Sequence, residues 1–111
     1  MKHMQTGKRR GAFEVLANTR SSQAAIMVLQ PGKSTGQPMN EHPRSEQWLF
    51  VVAGTGMALV NRQRTRLRRN SLLLIEKGEI HQIRNTGRRP LVTLNFYTPA
   101  AYAKNGTLKK K

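Results

Sequence analysis

An all-β fold, a small sandwich or barrel, is predicted for this chain by three observations: many short apolar runs, turn residues recurring between them, and no stretch with the period of a long amphipathic helix. A strand points successive side chains to opposite faces, so alternation broken by Gly, Pro and Asn is its mark. The strongest case is Leu91 to Tyr97, where apolar Val92, Leu94 and Phe96 interleave with Thr93, Asn95 and Tyr97, all able to hydrogen-bond. The chain has 111 residues, which suits one domain with one core.

Taken in order, residues 1–11 are basic, polar and aperiodic, and are expected to form a disordered or loosely docked arm. Residues 12–103 carry the barrel. Ala12 to Leu16 and Ala24 to Leu29 read as strands separated by Asn18, Ser21 and Ser22, and Pro31-Gly32 closes the second. A loop holding Gly36 and Pro38 leads to Asn40. Strand Gln47 to Ala53, a turn at Gly54-Thr55-Gly56 and strand Met57 to Val60 follow, with a tight turn near Asn61 to Arg64. Arg66 to Arg68 reads as a short polar strand, and Ser71 to Ile75, continuously apolar, as one buried on both faces. After the turn Lys77-Gly78-Glu79, residues His81, Ile83 and Asn85 share one parity on the next strand, which Thr86-Gly87 ends. Pro99 and Gly106 mark an irregular or briefly helical end, and 104–111 is a basic tail.

Twenty Lys and Arg against five acidic residues give a formal net charge of +15, which attracts phosphates, nucleic acids and acidic surfaces. Nonspecific nucleic-acid contact is the direct expectation. With no cysteine, neither disulfides nor thiolate metal sites hold the fold. No apolar run reaches signal-peptide or membrane-span length, so a cytoplasmic protein without membrane attachment is expected.

The stretch Asn40 to Gly54, NEHPRSEQWLFVVAG, places candidate ligands just before an apolar strand. Asn40 and His42, two apart, share a face if that segment is extended, and Gln47 opens the strand. His81 lies far along the chain. These groups converge only if the strands curl into a barrel.

Here the residues resemble the small single-domain cupins. The second motif of that family runs Gly, five residues, Pro, one, Gly, two, His, three, Asn. In this chain Asn70 stands for the first Gly and Glu76 for Pro, while Gly78, His81 and Asn85 fall on their positions. The first motif runs Gly, five, His, one, His, three or four, Glu, six, Gly, and registers in two ways. With His42 as the first histidine, Gly36 fits but Arg44 replaces the second histidine, and Trp48 or Leu49 falls at the glutamate. With His42 as the second, Asn40 replaces the first, Gln47 replaces the glutamate and Gly54 follows, while Ser34 replaces the opening Gly. The second register is preferred because every ligand position keeps an oxygen or nitrogen donor.

The resemblance covers roughly Ala24 to Pro99 and implies a double-stranded β-barrel of the jelly-roll type. It also implies one divalent metal ion (Fe, Mn, Ni or Zn) held by Asn40, His42, Gln47 and His81. Replacing a carboxylate by the neutral amide of Gln47 lowers the expected affinity. Glu46, the neighbour of Gln47, should face the opposite side, and Glu76 reads as a turn residue. Asn85 reads as fixing a turn. Thr93, Asn95 and Tyr97 are candidates for a ligand-binding wall, with solvent-facing positions as the alternative. Homodimers through the sheets are implied as well, with Trp48, Phe50 and Phe96 as the residues covered.

Arg62, Arg64, Arg66 and Arg68 recur every second residue and would share a strand face, although a hairpin turn interrupts the row. With no aromatic residue interleaved for base stacking, the plain reading is a solvated basic face, and phosphate contact is the sharper one. Function is expected to be metal-assisted binding or conversion of a small, anionic molecule. The alternatives are a non-catalytic sensor with a degenerate metal site, and nucleic-acid binding by the arginine face.

Overall fold

The computed structural model describes residues 1–7, 11–38 and 44–103. Among these, the chain forms eight strands and no helix. They are β1 (Phe13–Asn18), β2 (Gln23–Leu29), β3 (Glu46–Ala53), β4 (Gly56–Val60), β5 (Gln63–Leu67), β6 (Leu72–Ile75), β7 (His81–Asn85) and β8 (Leu91–Thr98). A five-stranded sheet in the order β1-β2-β8-β3-β6 faces a three-stranded sheet in the order β5-β4-β7, with all neighbours antiparallel. The all-β barrel expected from the sequence is the observed fold.

Turn chemistry accounts for the connections. In the β1–β2 hairpin Thr19 Oγ1 accepts from the amides of Ser21 and Ser22 at 3.3 and 3.1 Å, a side-chain turn that closes before Asn18 pairs with Gln23. Asn61 and Arg62 both take positive φ, 47° and 69°, between the paired Val60 and Gln63. That is the two-residue turn whose twist matches a hairpin. It closes sooner than the sequence suggests, so β5 starts at Gln63 and ends at Leu67 rather than spanning Arg66 to Arg68.

Between the sheets, Leu49, Val51, Ala58, Leu67, Ile75, Ile83 and Leu91 form the main core, each essentially without solvent contact. One reading changes, and one left open is decided. The run Ser71 to Ile75 is not buried on both faces: β6 pairs only with β3 at the sheet edge, and Leu72 remains 60% exposed. On β8 the polar parity points inward: Thr93, Asn95 and Tyr97 are buried while Phe96 is 41% exposed. The described part of the C-terminal end, 99–103, is irregular, with a single bridge at Tyr102 and no helix.

The stretch Gly32 to Thr35 adds itself beside β7. Gly32 N donates to Asn85 O, Asn85 N to Lys33 O and Thr35 N to Ile83 O, at 3.3, 2.9 and 2.9 Å. This places Ser34 and Thr35 next to His81. No helix among the described residues is long and apolar enough to cross a membrane.

Candidate functional site

Inward parity brings Gln47 from β3, His81 from β7 and Tyr97 from β8 to one cavity of about 290 Å³. Ser34 and Thr35 add hydroxyls; Met27, Leu29 and Ile83 form an aliphatic floor; Phe13 and Tyr102 complete an aromatic wall with Tyr97. Ring centroids stand 4.7 Å apart for Phe13–Tyr102 and 5.1 Å for Tyr97–Tyr102, the latter edge to face. The cavity thus has a polar side and an aromatic side.

A one-way chain of hydrogen bonds sets the orientation of Gln47. Thr93 Oγ1 donates to the Met27 carbonyl at 3.3 Å, since a carbonyl can only accept. The hydroxyl therefore accepts from Asn95 Nδ2 at 2.9 Å, which turns Asn95 Oδ1 toward Gln47. Gln47 Nε2 donates to that oxygen at 2.7 Å. Each amide has one possible direction, and Gln47 Oε1 is the end that points away from Asn95.

His81 is positioned in the same manner. Its Nδ1 lies 3.0 Å from the Glu79 carbonyl, so Nδ1 carries a proton, and in the neutral ring the lone pair is on Nε2. That is the tautomer a histidine ligand adopts when a backbone carbonyl holds its other nitrogen. The loop is itself tied: Glu79 Oε1 accepts from Glu76 N at 2.7 Å, and Glu79 Oε2 from Asn61 Nδ2 at 3.1 Å. Glu76 is a turn residue.

Of the residues singled out from sequence, Gln47, His81 and Tyr97 line the cavity. Thr93 and Asn95 are fully buried behind Gln47, as its support, and neither faces solvent. Asn40 and His42 lie outside the described residues. Asn85 fixes a turn: its Nδ2 donates to Leu29 O and Arg89 O, and its Oδ1 accepts from Gly87 N, each at 2.8 Å. Phe13, Met27, Ser34, Thr35, Tyr102 and the positioning carbonyl of Glu79 were not singled out. For Tyr102 no local signal exists, because a distant residue, Gln23, holds its backbone in place.

The glycine positions of the two motifs also fit the backbone. Gly54 has φ +89°, and a Cβ there would collide with the Pro90 carbonyl. Asn70, standing where the motif has glycine, has φ 73°, a conformation asparagine tolerates better than most residues.

Two antiparallel sheets closing on a polar and aromatic cavity define a double-stranded β-barrel. The chain belongs to the cupin family: the cupin-domain pattern matches residues 25–97. It is 32% identical over 73 residues to the tetracenomycin polyketide synthase protein TcmJ of Streptomyces glaucescens, covering 66% of this chain and 48% of that protein. It is 28% identical over 101 residues to mannose-1-phosphate guanylyltransferase of Klebsiella pneumoniae, covering 91% of this chain and 21% of that enzyme. The chain therefore spans less than half the length of these relatives. A crystal structure of a Bacillus halodurans protein superposes with a TM-score of 0.82 at 27% identity, covering 91% of this chain and 79% of the other.

Among the described residues, no three His, Cys, Asp or Glu side chains come together. The two donors seen, an imidazole nitrogen and an amide oxygen, still fit a divalent ion chemically: imidazole suits Fe, Ni or Zn, and amide oxygen is a neutral hard donor. The set has no anion.

Proposed function

We propose that this cupin binds a small anionic molecule with a flat or apolar body, and that it does so on a weakly held divalent metal ion. The observation that carries the reading is the one-way chain from Gln47 to the Met27 carbonyl, which turns Nε2 toward Asn95 and so supports Oε1 as the atom offered to an ion. Gln47 Oε1 and His81 Nε2 hold the ion, and His42 and Asn40, by their motif positions, complete the set. All four donors are neutral. An ion so held keeps its full double charge, and a carboxylate or phosphate of the ligand is its natural partner. When bound, the ion supplies a Lewis acid and a template, with Fe, Mn, Ni or Zn the candidates.

The protein's own part is selection and orientation. Phe13, Tyr97 and Tyr102 pack the ligand body, while Ser34 and Thr35 lie on the polar side. A cavity of about 290 Å³ suits a small metabolite. Similarity to proteins named for polyketide synthesis and for mannose 1-phosphate supports a small-molecule ligand. No general base is assigned.

The test is metal content of protein purified without chelator or nickel resin, followed by calorimetric titration with Mn, Ni and Zn on the wild type, His42→Ala and His81→Ala. Saturable binding in the wild type, lost in both variants, is expected. Unchanged binding in both variants would sink the assignment. Among the described residues the cavity lining contains no carboxylate, and that observation favours a second reading: a metal-free binding module. In that case ligand raises the melting temperature equally with and without chelator.

A further inference from the structure

We propose that the outer face of the three-stranded sheet binds the phosphate backbone of duplex nucleic acid without regard to base sequence. This surface lies apart from the barrel cavity. Strand pairing sets Arg66, Met57 and Arg84 side by side in one row, and Arg64, Leu59 and Gln82 in the next. Opposite residues in antiparallel strands share a face. Because Ala58, Ile83 and Leu67 are buried, the Arg rows are the outward ones, and Arg64, Arg66 and Arg84 are all exposed.

The spacing suits a polyphosphate. Arg64 and Arg66, two residues apart on a strand, repeat at about 6.8 Å, and Arg66 and Arg84 straddle one strand at about 9.6 Å. Each guanidinium can grip a phosphate through two parallel hydrogen bonds. No acidic residue lies on β4, β5 or β7, nor anywhere between Glu46 and Glu76. Met57 and Leu59, the apolar residues of this face, are only partly exposed. Of the large exposed apolar side chains, Trp48, Val52, Phe96 and Leu72 belong to the other sheet, and Ile80, just before β7, stands alone beside this face, where a membrane surface would need an apolar cluster.

A second observation comes from the hairpin tip. Arg62 holds φ 69° at a turn position that favours glycine. A charged residue kept where glycine would fit with less strain points to a use for its charge. Two carboxylates, Glu76 and Glu79, share a groove with Asn61 and Arg64, and Glu79 is bonded to Asn61 Nδ2 and Glu76 N. No aromatic residue occurs on β4, β5 or β7, so the unstacked bases of a single strand gain nothing here, whereas a duplex presents its phosphates outward.

The experiment is fluorescence anisotropy of a labelled mixed-sequence duplex of about 20 base pairs, titrated with protein over a series of KCl concentrations. The variants are R64Q/R66Q, R62G, and a control, K2Q/R20Q, which removes the same charge as the first at the β1–β2 end. R64Q/R66Q should weaken binding about tenfold at about 150 mM KCl and reduce the slope of log K against log salt by about 1.8, with K2Q/R20Q changing either much less. R62G should weaken binding while raising the melting temperature, which separates contact from folding. Equal losses in R64Q/R66Q and K2Q/R20Q would reduce the effect to net charge and overturn the proposal. So would tighter binding of the single strand than of the duplex. Unchanged binding by R62G would overturn the inclusion of the hairpin tip.

Discussion

Gln23 grips Tyr102 at both ends of its backbone: its Nε2 donates to the Tyr102 carbonyl at 2.6 Å, and its Oε1 accepts from the Tyr102 amide at 3.0 Å. The same oxygen accepts from Ala101 N at 3.2 Å. A buried residue at the start of β2 thus holds the segment that supplies part of the cavity wall. Replacing it with leucine, Gln23→Leu, leaves those backbone groups buried without partners. A loss of about 2–3 kcal/mol in urea unfolding is expected, together with weaker binding of ring-bearing ligands. Unchanged stability would show that the segment holds itself in place by ring packing alone.

Gln47→Glu is expected to act in opposite directions with and without metal. In the metal-free protein the introduced carboxylate cannot donate to Asn95, so the hydrogen-bond chain must reverse or break, and a buried anion is left poorly paired. Stability should fall by about 1–3 kcal/mol. With metal the carboxylate supplies the missing anionic ligand, and affinity by calorimetry should rise at least about tenfold.

Thr93→Val removes the hydroxyl while keeping the shape. Met27 O and Asn95 Nδ2 each lose a partner, and Asn95 is then able to turn over. The expected cost is about 1–2 kcal/mol, with metal affinity reduced because Gln47 no longer has one fixed direction. Wild-type metal binding in this variant would separate the chain of hydrogen bonds from ligation.

Gly54→Ala should cost more than the roughly 1–2 kcal/mol of a left-handed backbone, because the clash with Pro90 adds to it. Gly32→Ala, with φ +81° but open space around the new methyl, should cost less. Equal melting temperatures for the two variants would refute the role given to the Pro90 contact.

Trp48 and Phe96 lie directly opposite one another on the outward face of the larger sheet, 39% and 41% exposed. Their neighbours on that face, Phe50, Leu72, Leu74 and Leu94, carry no charge. In a chain of net charge +15 the centre of this face is uncharged. The charged residues that share its parity on β1 and β3, Glu14 and Glu46, are acidic, so two copies can meet here without opposing cations on these strands. A homodimer is proposed, and light scattering should give twice 12.6 kDa for the wild type and the single-chain mass for W48E/F96E.

Much of this was legible because alternation and turn residues are local. Every strand was located within a few residues, and the parity of His81, Ile83 and Asn85 on β7 held. Parity does not say which set faces in, however. On β8 both directions were open from the sequence, and Asn95 and Thr93 can be buried because partners on other strands satisfy them. Residues 27, 47, 93 and 95 meet only through long-range pairing, and nothing in their sequence spacing announces it. For the same reason Gln47 was visible as a candidate donor while its direction was not.

The position of β8 bears on how the chain is completed during synthesis. This strand inserts between β2 and β3, pairing with both, so neither has its inner neighbour until Leu91 to Thr98 has emerged. A nascent chain shorter than that carries two open edges rich in Ile, Val, Trp and Phe, the kind of edge that recruits strands from other chains. Emergence of β8, rather than formation of any early hairpin, is therefore the event that removes the hazard of misassembly.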